Sequence, residues 1–245
     1  MKEIEINAVA GGWGLTAAQR KAVGFLREYA KRMVTFGFPG YKTPVGVSKL
    51  MREVYRAIDE MIAGCLENGT KPACKSGCAW CCSMRVRVTP LEVLSILDFL
   101  HTHLDTDRLS ALKQRLAKTD AITRGMDGIQ RGSAKIACPL LADRKCLVYP
   151  VRPMACRVYH SLNSSECETL IGDQERTVHV RQDISALNLG ISAGLMEGLR
   201  TAGLQARQLE LVAGLRMAMD EPGVVERWFA GEPAFVGAEV AKEIR

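Results

Sequence analysis

The sequence predicts a mostly α fold: a single compact helical domain over residues 1–245, interrupted by two irregular cysteine-rich loops. Three observations predict it. Apolar residues recur at helical spacing through most of the chain. Polar caps and first-turn prolines open several of these segments, and Gly or Pro closes them. Most of the nine cysteines fall in two stretches that show no period.

Thr16 caps a first helix running to about Phe36, with Val23, Leu26, Ala30, Met33 and Val34 as its apolar stripe. Gly37-Phe38-Pro39-Gly40 breaks it. A second helix follows Thr43-Pro44, carries Leu50, Val54, Ile58 and Ile62 on one side, and stops near Asn68-Gly69. After the first cysteine stretch, Thr89-Pro90 starts a third helix with Glu92 in its first turn. Asp105 or Thr106 opens a fourth, striped by Leu109, Leu112 and Leu116; it is expected to run toward Ile129, with Gly132 as its end. In the second cysteine stretch a helical turn is expected around Pro153–Tyr159. Short extended pieces are expected at Ile136 and at Leu147-Val148-Tyr149. Helices return at about Asp183–Ala202, Gln205–Met219 and Gly223–Phe229. The glycines between Leu189 and Gly203 are expected to weaken the middle of the first of these, since each costs about 1 kcal/mol relative to Ala.

Hydrophobic residues make up 47% and charged residues 24%, values of a folded globular chain that exclude disorder and collagen-like repeats. No apolar run approaches the roughly 18 residues of a membrane span. Met1–Ile6 carries acids where a signal peptide has a basic and then apolar run, so a cytoplasmic location is expected, with no membrane association. The net charge of +6 comes without a long Lys/Arg run interleaved with aromatics, so no nucleic-acid partner is expected.

A disulfide framework belongs to small secreted chains, which leaves the cysteines to explain. The first patch is Cys74-Lys-Ser-Gly-Cys78-Ala-Trp-Cys81-Cys82. The second is Cys138-Pro-Leu-Leu-Ala-Asp-Arg-Lys-Cys146, followed by Cys156 after Arg152-Pro153. Thiolates two or three residues apart converge on one soft metal, and the remote patch closes the site. The expected ligands are therefore Cys74, Cys78, Cys81, Cys82, Cys138, Cys146 and Cys156, enclosing a metal centre within residues 74–167. Seven thiols exceed the four of one tetrahedral zinc and suit a [4Fe–4S] cluster with spares, a larger iron–sulfur centre or two metals; an iron–sulfur cluster is favoured over zinc or iron ions. Buried packing thiols are the plain alternative, but four cysteines in nine positions of a Lys- and Gly-bearing loop do not suit it. Lys71, Lys75, Arg85 and Arg87 flank the first patch and Arg131, Lys135, Arg144, Lys145, Arg152 and Arg157 the second. Such placement is expected to lower thiol pKa values and offset the charge of a thiolate–metal centre.

These motifs resemble the YkgJ-like cysteine-cluster family, known by its CxxCxxCC run. The resemblance rests on Cys74–Cys82, on Cys138-Pro-Leu-Leu, on Cys146-Leu-Val-Tyr and on Arg152-Pro153-Met-Ala-Cys156-Arg157. It spans roughly residues 74–160, and the first pair departs from the pattern as Cys-x3-Cys. The family name implies zinc or iron chelation and no settled reaction. Flagellin lysine N-methylases carry a similar run, but no S-adenosylmethionine loop is recognisable here. Cys74-x3-Cys78-x2-Cys81 also has the radical S-adenosylmethionine spacing. That fold, however, needs repeated βα units, and Cys82 and the second patch have no role in it.

Other residues read as follows. Cys65 is expected to pack, while Cys167 and His160 stand as further ligand candidates. Arg152 and Arg157 are candidates to hydrogen-bond cluster sulfides or an anionic substrate; the plain reading is that Arg152 pairs with an acid and fixes the loop. Tyr149 and Trp80 are expected to shield the centre from water. His101 and His103 suit a helix C-terminus, His179 has no evident partner, and Trp228-Phe229 suits packing of a terminal helix. Two function classes stay open: a redox or group-transfer enzyme that uses the centre, and a non-catalytic zinc-stapled or metal-trafficking module.

Overall fold

The computed structural model describes residues 14–40, 42–170 and 178–240. Met1–Ile6, on which the cytoplasmic expectation rests, lies outside the described residues. The described chain is mostly helical: α1 (Ala17–Arg32), α2 (Pro44–Glu67), α3 (Pro90–His103), α4 (Thr106–Thr123), α5 (Gly128–Ser133), α6 (Met154–Arg157), α7 (Ser164–Leu170), α8 (Gln182–Thr201), α9 (Leu211–Asp220) and α10 (Val224–Phe229). No described helix is long and apolar enough to cross a membrane.

The helix starts follow their caps. Thr16 and Gln19 form a capping box at α1, and Thr89 and Glu92 form one at α3 with Pro90 behind the cap. The Thr43 side chain accepts from the Gly46 N–H at α2, and Asp105 accepts from Arg108 at α4. Beyond α1 the chain widens into a π-helical turn, Met33–Gly37. The fourth helix does not continue to Ile129. Gly125 takes a left-handed conformation (φ +79°), and Asp127 caps a separate helix that contains Gly132.

The core forms where α3 packs against α2 and α9, α9 against α4, and α8 against α1. Leu91, Val93, Leu94, Ile96 and Leu97 make α3 buried on nearly every side, so it is the central helix. Trp228 and Phe229 pack on Phe38, as the plain reading of that pair expects.

The glycines of α8 do not weaken it. Gly190, Gly194 and Gly198 lie one turn apart on the face that meets α1, beside Val23, Arg27 and Val34 in turn. The two helices therefore run side by side in the same direction, with backbone against backbone. Arg27 Nε clamps the seam by donating to Glu197 Oε1 at 2.8 Å.

Two short antiparallel pairs were not expected. β1 (Arg87–Val88) pairs with β4 (Leu209–Glu210), and β2 (Leu141–Ala142) pairs with β3 (Lys145–Cys146). The helix expected from Gln205 thus begins only at Leu211. The Glu210 carboxylate caps it, accepting from the Ala213 N–H at 2.8 Å. The extended piece placed at Leu147–Tyr149 is in fact one step earlier, at Lys145–Cys146, because Asp143 and Arg144 turn a hairpin with positive φ. Ile136 lies in no strand.

Candidate metal centre

The first cysteine patch follows α2 through a bend held from a distance. Arg181 donates to the backbone carbonyls of Thr70 (2.7 Å) and Cys65 (2.7 Å), and it pairs with Asp183 at 2.7 Å. Beyond that bend the Ala73 N–H donates to the Ser161 carbonyl (2.8 Å), and the Cys74 thiol points at the Tyr159 carbonyl (3.9 Å). Cys81 and Cys82 sit in a 3-10 turn, Trp80–Ser83, which packs against α7. Gly77 holds φ +82° between Cys74 and Cys78, a value that favours glycine.

The second patch meets the first through the backbone: the Cys138 N–H donates to the Cys82 carbonyl at 2.7 Å. Arg131, 2% exposed, braces that junction. One of its nitrogens donates to the Ser83 carbonyl (2.9 Å) and also to the Ile136 carbonyl. Cys146 stands on β3, opposite Leu141. Cys156 stands on α6, whose first N–H, from Met154, is held by the buried Glu92 carboxylate at 2.8 Å. Glu92 also accepts from the Thr89 N–H and hydroxyl, at 2.7 and 2.9 Å. Glu92→Gln puts an amide NH2 among these donors. We expect it to lower the urea-denaturation free energy by about 1–3 kcal/mol.

The thiols lie near enough for their charges to couple across patches. Burial pushes the Cys156 thiol well above its usual range, and the sulfurs of Cys138, Cys81 and Cys146 push it further. Burial takes Cys138 up to about 12, against the lowering pull of Arg131. Burial raises Cys146 too, while Arg152 pulls it down and Cys81 pushes it up. A hydrogen bond to the Cys82 sulfur, then burial, drives Cys81 far upward. Burial raises Cys74, and Cys78 and Cys81 add to it. The sequence suggested that the surrounding Lys and Arg residues would depress these thiols. Burial outweighs them, because desolvation of a thiolate exceeds the pull of partly solvated cations. Metal binding therefore has to displace protons from these sulfurs.

The other residues singled out take varied places. Cys167 belongs with the first patch: it is 8% exposed on α7, raised by burial, and coupled to Cys74, Cys81 and Cys78. Tyr159 stands among the same sulfurs, its hydroxyl raised by burial and then by Cys167, Cys81 and Cys74. No sequence signal marked Tyr159, and only its nearness in sequence to Cys156 marked Cys167. Cys65 packs at the edge of the core. His160 is half-buried, its Nδ1 lacks a hydrogen-bond partner, and burial lowers its pKa. Arg152 lies over the Tyr149 ring at 4.1 Å. Tyr149 is 60% exposed and so does not seal the centre. Trp80 is partly buried beneath Arg144, which donates to the Gly77 carbonyl at 2.9 Å. An acid partner of the kind expected for Arg152 is found instead at Arg157. Arg157 is 2% exposed, pairs with Asp59 at 2.5 Å, donates to the Pro150 carbonyl at 2.8 Å and covers the Tyr55 ring at 4.5 Å. His103 bonds the Phe99 carbonyl near the end of α3, and His179 pairs with Glu166 at 3.0 Å.

Asp183 gives the Arg181 brace a pH signature. The hydrogen bond from Arg181 holds the Asp183 carboxyl below its usual value. A depressed carboxylate contributes stability above its unfolded pKa, about 4, and that contribution is lost as pH falls toward the folded value. Asp183→Asn is therefore expected to flatten the loss of stability below about pH 4. A series of urea melts in acid buffers checks this.

The donor set fits a soft metal: thiols gathered from both patches, with Arg131 and Arg152 beside them and Glu92 as the nearby carboxylate. Among the described residues no three His, Cys, Asp or Glu side chains stand together where they could hold a metal ion.

Residues 73–179 match the family model CxxCxxCC, described as "Putative zinc- or iron-chelating domain". No curated protein and no solved structure matches the chain.

Proposed function

We propose that this chain is a metal-binding protein whose two cysteine patches jointly hold an iron–sulfur or zinc/iron centre. The observation that carries the reading is the meeting of the patches. The Cys138 N–H bonds the Cys82 carbonyl, and Cys81 couples to sulfurs on both sides. Cys74, Cys78, Cys81, Cys82, Cys138, Cys146 and Cys156 would hold the group. Their number exceeds one zinc tetrahedron, which supports iron–sulfur.

A bound iron–sulfur cluster supplies one-electron chemistry, and a bound zinc supplies a Lewis acid or a structural clamp. The chain's own part is to shield most of the sulfurs partly from water, to offset their charge with Arg131 and Arg152, and to hold α6 in place through Glu92. The residue match to a zinc- or iron-chelating domain supports metal binding in either form. Purification without oxygen, followed by metal and sulfide analysis and an absorption spectrum, tests it. A brown protein with iron and sulfide is the expected result. A colourless protein with zinc replaces the cluster by a zinc site, and a protein that carries and takes up no metal overturns the reading.

A further inference from the structure

We infer that α1 carries a second, exposed apolar face on which two copies of this chain pair, antiparallel, about a two-fold axis between Tyr29 and Arg32. The surface lies apart from the cysteines and does not depend on the metal reading.

α1 is apolar on two sides. Val23, Leu26, Ala30 and Val34 are buried in the core and against α8. Phe25, Tyr29, Met33 and Phe36 form the other stripe, in which Phe25 is 62% and Phe36 73% exposed. Phe25 stacks on Tyr29 with ring centroids 6.2 Å apart, and the Arg32 guanidinium lies over the Phe36 ring at 5.9 Å. The Tyr29 hydroxyl reaches across to α2, 3.5 Å from the Glu53 carbonyl. The four apolar side chains line one open groove of about 510 Å³, with Glu28 and Arg32 at its edges. Single exposed apolar residues are ordinary, but a continuous apolar line rimmed by charge marks an association surface. The steps of four, three and four residues from Phe25 through Tyr29 and Arg32 to Phe36 are those of a helix–helix seam. The far end of the stripe falls in the π-helical turn Met33–Gly37, a departure from α geometry that is frequent at functional sites.

The residue order selects a second copy as the occupant. The stripe is symmetric about its middle: Tyr29 and Arg32 at the centre, Glu28 and Met33 next, Phe25 and Phe36 at the ends. A two-fold interface needs a patch that is complementary to itself. Laid antiparallel, two such stripes bring Phe25 of one copy against Phe36 of the other at both ends. At the centre Tyr29 meets Arg32, a ring and a guanidinium. Glu28 of each copy then stands diagonally across from Arg32 of the other, so opposite charges meet twice. A parallel pairing would instead set Glu28 against Glu28 and Arg32 against Arg32, which like-charge repulsion disfavours. Charge thus fixes the direction, and the exposed rings supply the area that leaves water.

The test is sedimentation equilibrium of the 245-residue chain as purified, loaded from about 1 to 100 μM, a range that brackets micromolar pairing. A monomer–dimer equilibrium is expected. Phe36→Glu places a carboxylate at both ends of the seam and should raise the dimer Kd about 30-fold or more. Glu28→Arg sets like charges across the axis and should raise it about 10-fold, and adding Arg32→Glu should return it to within about 3-fold of the unaltered chain. Urea melts report the fold of each variant, and where Phe36→Glu fails to fold, Phe25→Glu takes its place. A monomer at every loading overturns the proposal. So does a dimer that neither phenylalanine variant weakens, which pairs through another surface. A monomer that Phe36→Glu destabilises has this face covered by its own chain, and that also overturns the proposal. A double charge variant that pairs no better than Glu28→Arg alone overturns the antiparallel arrangement.

Discussion

Gly194→Val is expected to unfold the protein, or to lower its stability by more than about 3 kcal/mol, since overpacking commonly costs 1–3 kcal/mol and here the clash is with backbone. A Cβ at Gly194 would fall inside contact distance of the Arg27 carbonyl and 3.0 Å from the Ala30 Cβ. Neither can move alone, because both belong to the α1 face on which the core closes. Gly198 has a similar constraint, with the Val34 Cβ at 2.5 Å. Gly194→Ala should act in the same direction with a smaller effect. Gly24 is the control. It lies on the exposed side of α1 with nothing within 4 Å of its Cβ position, so Gly24→Ala should stabilise by about 0.5–1 kcal/mol. Chemical denaturation of the three variants separates a packing seam from simple helix propensity. Equal effects at Gly24 and Gly194 would remove the seam as the explanation.

Cys78→Ser and Cys146→Ser are each expected to lose bound metal, although the two residues belong to different patches. Serine keeps the size and removes the soft thiolate, so the loss reports ligation rather than packing. Cys65→Ser should keep its full metal content, because Cys65 lies by Asp183 and Arg181 at the end of α2, away from the sulfurs of both patches. Metal analysis of the three variants, each purified without oxygen, is the measurement. Full retention in either patch variant would mean that the patches do not share a centre.

Helices were legible because their signals are local. Thr16 with Gln19, Thr89 with Pro90 and Glu92, and Asp105 each mark a start within four residues of the atoms they satisfy. The break at Gly125 was missed, since the apolar stripe of α4 gives no sign of it. The helix α8 was legible too, but its glycines counted only as a weakness in its middle, because their cost is intrinsic and local, whereas their benefit appears only when α1 lies against them. The β1–β4 pair escaped for a related reason: two residues on each side, 121 apart at Val88 and Leu209, leave no period to read.

At the cysteines, residue type and spacing by themselves determined that the soft donors fall mostly in two patches and that they outnumber the four one tetrahedral ion takes. That much follows from covalent nearness, since thiols a few residues apart must share a neighbourhood. Tertiary structure alone decided which thiols of one patch approach those of the other. It brought Cys167 beside Cys74 and Cys78, made Arg157 a brace on Asp59 across 98 residues of chain, and turned Tyr149 to solvent. It also reversed the expected direction of the thiol pKa values. Nearby basic residues can be counted in a sequence, but desolvation depends on what the rest of the chain folds over the sulfurs, and at Cys138 and Cys156 that burial is the larger effect.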